Sequence, residues 1–445
     1  MQEVELWTLI PFALMLLGIA ICPFVIGEWW EKNSNKLIFS LVLGVPTALY
    51  LYYIGLGEKV VHQMLYDYVP FITLLCALFV VTGGLCRTGY IKASASTNTA
   101  LLAIGFVLAS FIGTTGAAML LVRMLIEINR RREHKIHTML FFTAIVANCG
   151  GVLTPLGDPP LFLLYLRGVE FVWFLKLLPQ WLFTGGALLL MFYIVDSHYF
   201  KIEKQHAGRL RRLQHLMGDP TPDETIKEVK AEFKGVINIV YLAIILASVA
   251  FINPGTIPAM GEHGAPIYMK FLREIVLVVV IALSMLTTKR SVREANRFTW
   301  TPILEVAVLF IGIFATMTPA MIYLNANAAS LGLDTPWQFY YSTGLLSSFL
   351  DNAPTAVAFY TIATGLPVAE GVATVAGIPE ILMKAISLGA VFFGSMTYIG
   401  NGPNFMIKSI AEENGIAMPS FFGYILKFSL LVLLPVYALV QWIFF

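Results

Sequence analysis

Asn148-Cys-Gly-Gly-Val-Leu-Thr-Pro-Leu-Gly-Asp-Pro-Pro160 stands between two apolar runs and breaks their continuity. The stretch contains three glycines, three prolines and one carboxylate, that of Asp158. In lipid, an unpaired backbone group costs several kcal/mol, so irregular backbone at that depth must be buried in protein or line a watery cavity. A carboxylate at the same depth is also costly, and by default it marks the path of an ion or a substrate. The stretch therefore predicts a binding site inside a membrane protein.

The composition places the chain in a bilayer. Its 445 residues are 58% hydrophobic and 13% charged, with a mean hydropathy of +0.77, whereas soluble domains carry about 25% charged residues. Several apolar runs approach the ~20 residues that a helix needs to cross the hydrocarbon core. The net charge of +2 gives no indication of a nucleic-acid partner. We therefore predict an all-α polytopic protein of the inner cell membrane, with the lipid bilayer as its partner.

Basic loops divide the chain into five parts. Lysine and arginine are concentrated at Arg87 and Lys92, around Arg130, in the loop 196–235 and around Arg290. Cytoplasmic loops of membrane proteins carry such an excess of basic residues. Residues 58–66 are amphipathic and are predicted to lie flat at the membrane interface. The five predicted parts are scaffold helices 1–66, a first repeat 67–195, a cytoplasmic linker 196–235, further scaffold helices 236–300 and a second repeat 301–445.

The segment 98–129 is predicted to be a re-entrant hairpin. Apolar arms of about fifteen and thirteen residues flank Gly113-Thr-Thr-Gly116, and neither arm is long enough to cross the bilayer comfortably. The alternative, one long tilted span, would put the basic residues near Arg87 and Arg130 on opposite faces. A hairpin puts both on one face, as the positive-inside rule prefers. The segment 137–167 then becomes a broken crossing.

The second half repeats this pattern. Ser348-Phe-Leu-Asp-Asn-Ala-Pro-Thr-Ala356 interrupts the segment 336–365 as Ser110-Phe-Ile-Gly-Thr-Thr-Gly-Ala-Ala118 interrupts 98–129. Gly400-Asn-Gly-Pro403 breaks the segment 380–412 where Gly157-Asp-Pro-Pro160 breaks 137–167. The charge count makes the second hairpin enter from the outside. We therefore predict two inverted repeats, each with a re-entrant hairpin and a broken transmembrane helix, an arrangement that builds a transporter's binding site near the midplane.

Two hairpin tips and two helix breaks are predicted to surround one ion or substrate site. Broken helices point N–H groups and carbonyls at the gap, and hydroxyl, amide and carboxylate oxygens suit a hard cation such as sodium. Threonine and serine hydroxyls also often bond to backbone or join neighbouring helices. The candidates in the first half are Thr114, Thr115, Asn148, Thr154, Gly157 and Asp158. Those in the second half are Ser348, Asp351, Asn352, Thr355, Thr397, Asn401 and Asn404.

Asp351 and Asp158 are the two carboxylates of this set and the candidate ligands of sodium. Asp351 lies mid-segment, without a basic residue near it in sequence. A lone buried carboxylate readily takes up a proton because its charged form is poorly solvated, as a group that alternates between a proton and sodium requires. Asp158 precedes two prolines and could instead cap the following helix. No basic residue occupies a tip or a break, which favours a cation as the ligand.

At these residues the chain resembles the ion-transporter superfamily of secondary carriers. This group includes NhaD-type sodium/proton antiporters, arsenite permeases, citrate/metal carriers and sodium-coupled dicarboxylate transporters. The stretch 148–160 carries a close similarity, and Asp351-Asn-Ala-Pro-Thr355 resembles the Asp-Asn-x-Pro tip of the antiporter and arsenite branches. The first tip, Gly113-Thr-Thr-Gly116, departs from the Ser-Asn-Thr tips of the dicarboxylate carriers.

The resemblance implies an elevator-type carrier that works as a homodimer. A domain that bears the hairpins would slide against a fixed scaffold. By the same resemblance, the second tip would contribute Asp351, Asn352 and Thr355, the first tip Thr114 and Thr115, and the breaks Gly157, Asp158 and Asn401.

Sodium/proton exchange is the function that these features predict. Asp351 would alternate between a sodium ion and a proton, and Asp158 would complete the coordination. The alternatives are cation-coupled transport of citrate or another organic carboxylate, and extrusion of arsenite. The two aspartates could also form the acid/base pair of an enzyme, but the sequence has no interior histidine cluster, nucleophile motif or cofactor fingerprint. We therefore expect neither catalysis nor a bound cofactor.

Overall fold

A computed structural model describes residues 4–88, 92–216, 232–262 and 264–445. Most of these residues are helical, and seven helical runs among them are long and apolar enough to cross a membrane. The prediction of a polytopic helical membrane protein is therefore confirmed.

The first half contains helices of very different lengths. They are α1 (Ile10–Val25), α2 (Gly27–Trp30), α3 (Asn33–Tyr53), α4 (Gly57–Gln63), α5 (Val69–Thr82), α6 (Ala95–Ile112), α7 (Thr114–Ile128), α8 (Ile136–Ile145), α9 (Pro159–Leu166) and α10 (Leu178–Leu216). A π-helical turn, Met64–Tyr68, joins α4 to α5, so the two form one run, Gly57–Thr82, that is long enough to span. Residues 58–66, predicted to lie at the interface, belong to this run.

The second half continues the helical pattern. Its helices are α11 (Ile237–Phe251), α12 (Ile267–Lys270), α13 (Leu272–Thr287), α14 (Arg290–Ala295), α15 (Thr301–Ala326), α16 (Pro336–Phe349), α17 (Asn352–Thr364), α18 (Glu380–Phe393), α19 (Gly402–Glu413), α20 (Phe421–Tyr424) and α21 (Leu434–Phe444). A second π-helical segment, Ile425–Leu433, joins α20 to α21.

Two small antiparallel sheets depart from the all-α prediction. β1 (Cys86–Thr88) pairs with β2 (Glu232–Lys234), with Cys86 opposite Lys234. β3 (Thr374–Val375) pairs with β4 (Ile378–Pro379) in a tight hairpin. In the first sheet, the chain that leads into α6 pairs with the chain that leads into α11. The starts of these two helices are therefore connected at the same end of the molecule.

The two ends of the segment 98–129 lie side by side. Asn98 in the first turn of α6 and Asn129 just after α7 exchange two amide hydrogen bonds of 2.9 and 3.0 Å. The chain reverses at Gly113, whose φ of +81° is a conformation that favours glycine. α6 and α7 are therefore an antiparallel pair and not one long span. At 18 residues, α6 is longer than the predicted arm.

α10 extends from a contact with the start of α18 past a contact with the base of the helix pair α6–α7. Just before α10, Lys176 donates to Glu380 at the start of α18, over 2.9 Å. Twenty residues further along, Asp196 accepts a 2.9 Å hydrogen bond from Asn98, which places the two contacts about 30 Å apart at 1.5 Å per residue. α10 continues to Leu216, so the first part of the predicted linker is helical, and its residues 217–231 lie outside the described residues.

α3 and α15 form a closely packed pair, and α15 also packs against α17. A Cβ on Gly312 would lie 2.8 Å from the Cβ of Ser40, so the two helices touch at the backbone of α15. Lys36 on α3 and Glu305 on α15 form an ion pair of 2.6 Å. Dense packing and an ion pair whose lysine is buried fix the relative position of these two helices.

Candidate functional site

The first helix break lies between α8 and α9. A short 3-10 turn, Cys149–Val152, follows α8, and the chain then doubles back before α9 begins. A Cβ on Gly157 would lie 2.0 Å from the carbonyl oxygen of Gly151. No side chain fits at that distance, so the turn requires glycine, which has no Cβ.

The second break, between α18 and α19, is built in the same way. Another 3-10 turn, Gly394–Met396, follows α18. A Cβ on Gly400 would lie 2.6 Å from the carbonyl oxygen of Gly394. Each break thus brings together two glycines that are six residues apart in sequence, and each ends at the start of a short helix.

Hydroxyl groups tie each break to a hairpin tip. Thr154 donates to the carbonyl of Ser110, and Thr397 donates to the carbonyl of Ser348. The Ser348 hydroxyl in turn donates to the carbonyls of Gly344 and, over 3.2 Å, of Phe393. These three predicted ligands therefore follow the alternative interpretation of threonine and serine, since they join backbone segments.

The carboxylate of Asp158 is the centre of the site. The residue is 1% exposed. Its Oδ1 accepts hydrogen bonds from the Thr114 hydroxyl (2.7 Å) and the Asn401 amide (3.2 Å), and its Oδ2 accepts one from the Asn352 amide (2.6 Å). Hydrogen bonds to an ionised acceptor are about twice as strong as neutral ones. Both tips and both breaks therefore contribute to one buried carboxylate and its donors.

Asparagine amides connect the two breaks beside Asp158. Asn148 donates to the Oδ1 of Asn404 over 2.8 Å and accepts from the Nδ2 of Asn401 over 3.1 Å. Asn404 donates to the carbonyl of Thr397 over 2.9 Å. All three asparagines are buried, and their connected amides fix where Asn401 points. The amide oxygens are also ligands that suit a hard cation.

Asp351 occupies the edge of the site. Its Oδ1 accepts from the backbone N–H of Ala353 (3.0 Å), and the Thr355 hydroxyl donates to its carbonyl (2.8 Å). Asp351 is thus the N-cap of α17 and is partly exposed. Asp158 makes no such capping bond to α9. Asp158 is therefore the N-cap residue of α9 by position only, whereas the side chain of Asp351 caps α17.

The remaining predicted residues lie at the first tip. The Gly157 carbonyl accepts a hydrogen bond of 2.7 Å from the backbone N–H of Thr114. Thr115 is the next residue of α7 and is partly exposed. Gly157 therefore holds the tip against the break through its backbone.

Four helix N-termini converge on the Asp158 carboxylate. Thr114 and Asn352 are the first residues of α7 and α17, and Asp158 and Asn401 immediately precede α9 and α19. Helix N-termini carry partial positive charge that stabilises an anion. Within the described ranges, no lysine, arginine or histidine makes a hydrogen bond or ion pair with Asp158 or Asp351. Backbone dipoles and neutral donors therefore balance the Asp158 charge.

Thr114→Val is expected to weaken transport while preserving side-chain volume. The change removes a donor from a buried carboxylate, and such a hydrogen bond contributes about 1.5–3 kcal/mol, which corresponds to a loss of about tenfold or more in affinity or rate. Thr114→Ser keeps the hydroxyl and is the matched control. Initial uptake rates in proteoliposomes compare the two, and equal rates for both variants would contradict a role for this hydroxyl.

Sequence reasoning missed several buried groups at the breaks. The Ser110 hydroxyl donates to the Gly150 carbonyl. Ser110 corresponds to Ser348 in the alignment of the two repeats, and this correspondence could have identified it. The Tyr437 hydroxyl lies 3.2 Å from the Cys149 sulfur and 2.6 Å from the Ser395 hydroxyl. Nothing in the periodicity of α21 marks Tyr437, because an aromatic residue in an apolar helix is ordinary.

A comparison with protein families identifies the chain. The model of a family described as "Putative citrate transport" matches residues 1–445, which is the whole length given. A search among curated proteins finds no match. The seven membrane-capable runs and the site between helix breaks agree with a transport family. The chain therefore belongs to this family of membrane transporters.

Proposed function

We propose that the protein is a cation-coupled secondary transporter of citrate or a related carboxylate, which binds its substrate beside Asp158. The observation that carries this proposal is the convergence of four helix N-termini and three polar donors on one buried carboxylate, to which no basic side chain of the described residues bonds. The family description supports the substrate class.

Helix N-termini supply the binding groups for the carboxylate. α7, α17 and α19 each start beside the site, and the partial positive charge of such N-termini attracts anions without arginine or lysine. Some of their N–H groups are already used, because those of Thr114 and Ala353 donate to Gly157 and Asp351, and Pro354 and Pro403 have none. α9 differs because it begins with Pro159 and Pro160, which have no N–H. We therefore assign substrate recognition to α7, α17 and α19, with the hydroxyl of Thr114 and the amides of Asn352 and Asn401.

A coupling cation is required because the site already contains two carboxylates. A citrate anion placed near Asp158 and Asp351 would meet like charge, which low dielectric makes costly. A sodium ion or a proton bound with the substrate offsets that repulsion. Oδ1 of Asp351 caps α17, and its other oxygen supplies a ligand at the partly exposed edge of the site. We assign Asp351 to the cation, with Asp158 as the second carboxylate.

Alternating access by two inverted repeats is the mechanism that we propose. The base of α6–α7 contacts the middle of α10, and the start of α18 contacts the turn just before α10, about 30 Å away. Thr114 and Asn352 at the two tips both reach Asp158. This arrangement supports re-entrant hairpins that enter from opposite sides of an inner cell membrane. Elevator-like sliding and pairing as a homodimer remain expectations from the family resemblance.

Sodium/proton exchange is the second candidate function. The same site favours this function, because two carboxylates among hydroxyl and amide oxygens suit a sodium ion. Such a site needs no organic substrate.

One experiment separates the two functions. Purified protein in proteoliposomes is given labelled citrate under an inward sodium gradient or an inward proton gradient, and a pH-sensitive dye follows proton movement after sodium addition without citrate. We expect citrate accumulation that collapses with an ionophore for the coupling ion. Sodium-driven proton movement without citrate uptake would replace this proposal with the second candidate, and the absence of both would refute the two together.

A further inference from the structure

The helix that carries Asp158 at its start is anchored at its other end. α9 has eight residues and lies between Asp158 and Arg167, so these two residues are about 13.5 Å apart along the helix. The Nη2 of Arg167 lies 3.1 Å from the Oδ2 of Asp67, and both side chains are 15% exposed. The Nη1 of Arg167 donates to the Leu163 carbonyl over 3.1 Å. The guanidinium is thus fixed to its own helix and offers its other side to Asp67.

Asp67 belongs to a different group of helices. It lies in the π-helical turn Met64–Tyr68 of the run Gly57–Thr82, and the Tyr68 hydroxyl donates to the Ala307 carbonyl of α15 over 3.1 Å. Isolated π-helical turns occur often at functional sites. In this protein the π-helical turn places Asp67 against Arg167 at the end of α9. The next residue, Tyr68, contacts α15, which packs closely with α3.

The contact that α9 itself makes with this group is short. α9 packs mainly against α17 and meets the run Gly57–Thr82 over a short stretch, while α15 packs on α17. The Tyr165 hydroxyl adds polar contacts with two other helices, since it donates to the Val249 carbonyl of α11 over 2.8 Å and accepts from Arg273 of α13 over 3.4 Å. Alternating access needs the helices around the site to move against the others, and a short contact held by one charged pair is a place where they can separate.

We propose that the ion pair between Asp67 and Arg167 is a latch, which holds the Asp158 helix against the α4–α5 run and opens once in each transport cycle. The inference rests on alternating access as proposed above, but it does not depend on which substrate is carried. Arg167 acts through α9 and is a positioning residue, since it does not touch the site itself.

A reversible crosslink tests the latch in the full-length protein. Asp67→Cys and Arg167→Cys are combined, with the natural cysteines changed to serine at positions 22, 76, 86 and 149. The 3.1 Å distance joins the ends of two side chains, whereas a direct disulfide needs Cβ atoms about 3.5–4.5 Å apart, so a short bis-methanethiosulfonate links the two thiols. Crosslinking should reduce initial uptake by about tenfold or more, because a step that gates access limits turnover, and dithiothreitol should restore it. The matched control is Lys36→Cys with Glu305→Cys, which joins two helices that stay together and should keep its uptake after crosslinking.

A second readout needs no transport assay. In membranes, the reduced 67/167 pair is exposed to a maleimide in competition with the bis-methanethiosulfonate. A latch that opens gives two populations, one crosslinked and one labelled, whereas two helices that never separate crosslink completely and take no label. Complete crosslinking without labelling, or full uptake by the crosslinked pair, would overturn the inference. A wild-type protein without citrate uptake whose 67/167 pair still gives both populations would refute the citrate proposal and leave the latch supported.

Discussion

Asp158→Asn is expected to abolish transport with little change in side-chain size. The amide keeps the volume of the carboxylate but cannot offset a bound cation. Both carboxylate oxygens of Asp158 accept hydrogen bonds, from the amides of Asn352 and Asn401 and from the hydroxyl of Thr114. The NH₂ group of the new asparagine is a donor, so it would face another donor at either position. Two charge-assisted hydrogen bonds of about 1.5–3 kcal/mol each are weakened, so we expect a loss of about 100-fold or more in uptake.

Initial rates of citrate uptake and of sodium-driven proton movement measure this loss. Asp334→Asn is the control, because it removes an exposed carboxylate from the loop before α16 and should leave both rates unchanged. Size-exclusion chromatography of the purified variants separates a lost function from a lost fold. A well-folded Asp158→Asn protein with rates within about threefold of wild type would contradict the central role of this carboxylate.

Gly157→Ala is expected to prevent the first break from forming. The added Cβ would lie 2.0 Å from the Gly151 carbonyl oxygen. Because the obstructing atom belongs to the backbone, no side-chain rotation can relieve the contact. Overpacking of a rigid interior costs about 1–3 kcal/mol and occasionally more, and this contact lies at the upper end. We therefore expect a marked fall in the melting temperature in detergent and a low yield of folded protein.

Gly186→Ala provides the control for this effect. No atom lies within 4 Å of a Cβ at Gly186, which is in the middle of α10. Alanine is favoured over glycine inside a helix by about 1 kcal/mol, so this variant should melt at the same temperature or slightly higher. Equal melting temperatures for the Gly157 and Gly186 variants would show that the first break tolerates a side chain.

The helix breaks and the reversal at Gly113 could be predicted because glycine and proline leave a strong local signal. The prolines of the stretch 148–160 interrupt a helix, since proline lacks an N–H and clashes with the preceding turn. The repeated spacing of glycines around Gly157 and Gly400 then identified the two equivalent elements. The same signal brought Thr114 and Asn352 into the candidate site, because each follows directly on a predicted tip.

The roles of the two aspartates could not be predicted in the same way. Each lies at the start of a helix, and local sequence does not show whether a side chain turns back to its own helix or toward a distant one. Asp351 turns back to Ala353 and Asp158 turns away, which is decided by the packing of four segments. The extension of α10 to Leu216 was missed because its charged residues suit a solvated helix as well as a loop.

The bonding of Asp158 has a consequence for how the protein is made. Asn352 and Asn401 follow it by 194 and 243 residues in the chain, so at about 5–20 residues per second the ribosome completes them roughly 10–50 s later. During that time Thr114 is its one side-chain donor already synthesised. The donors of this carboxylate are therefore complete only after the second half has been synthesised.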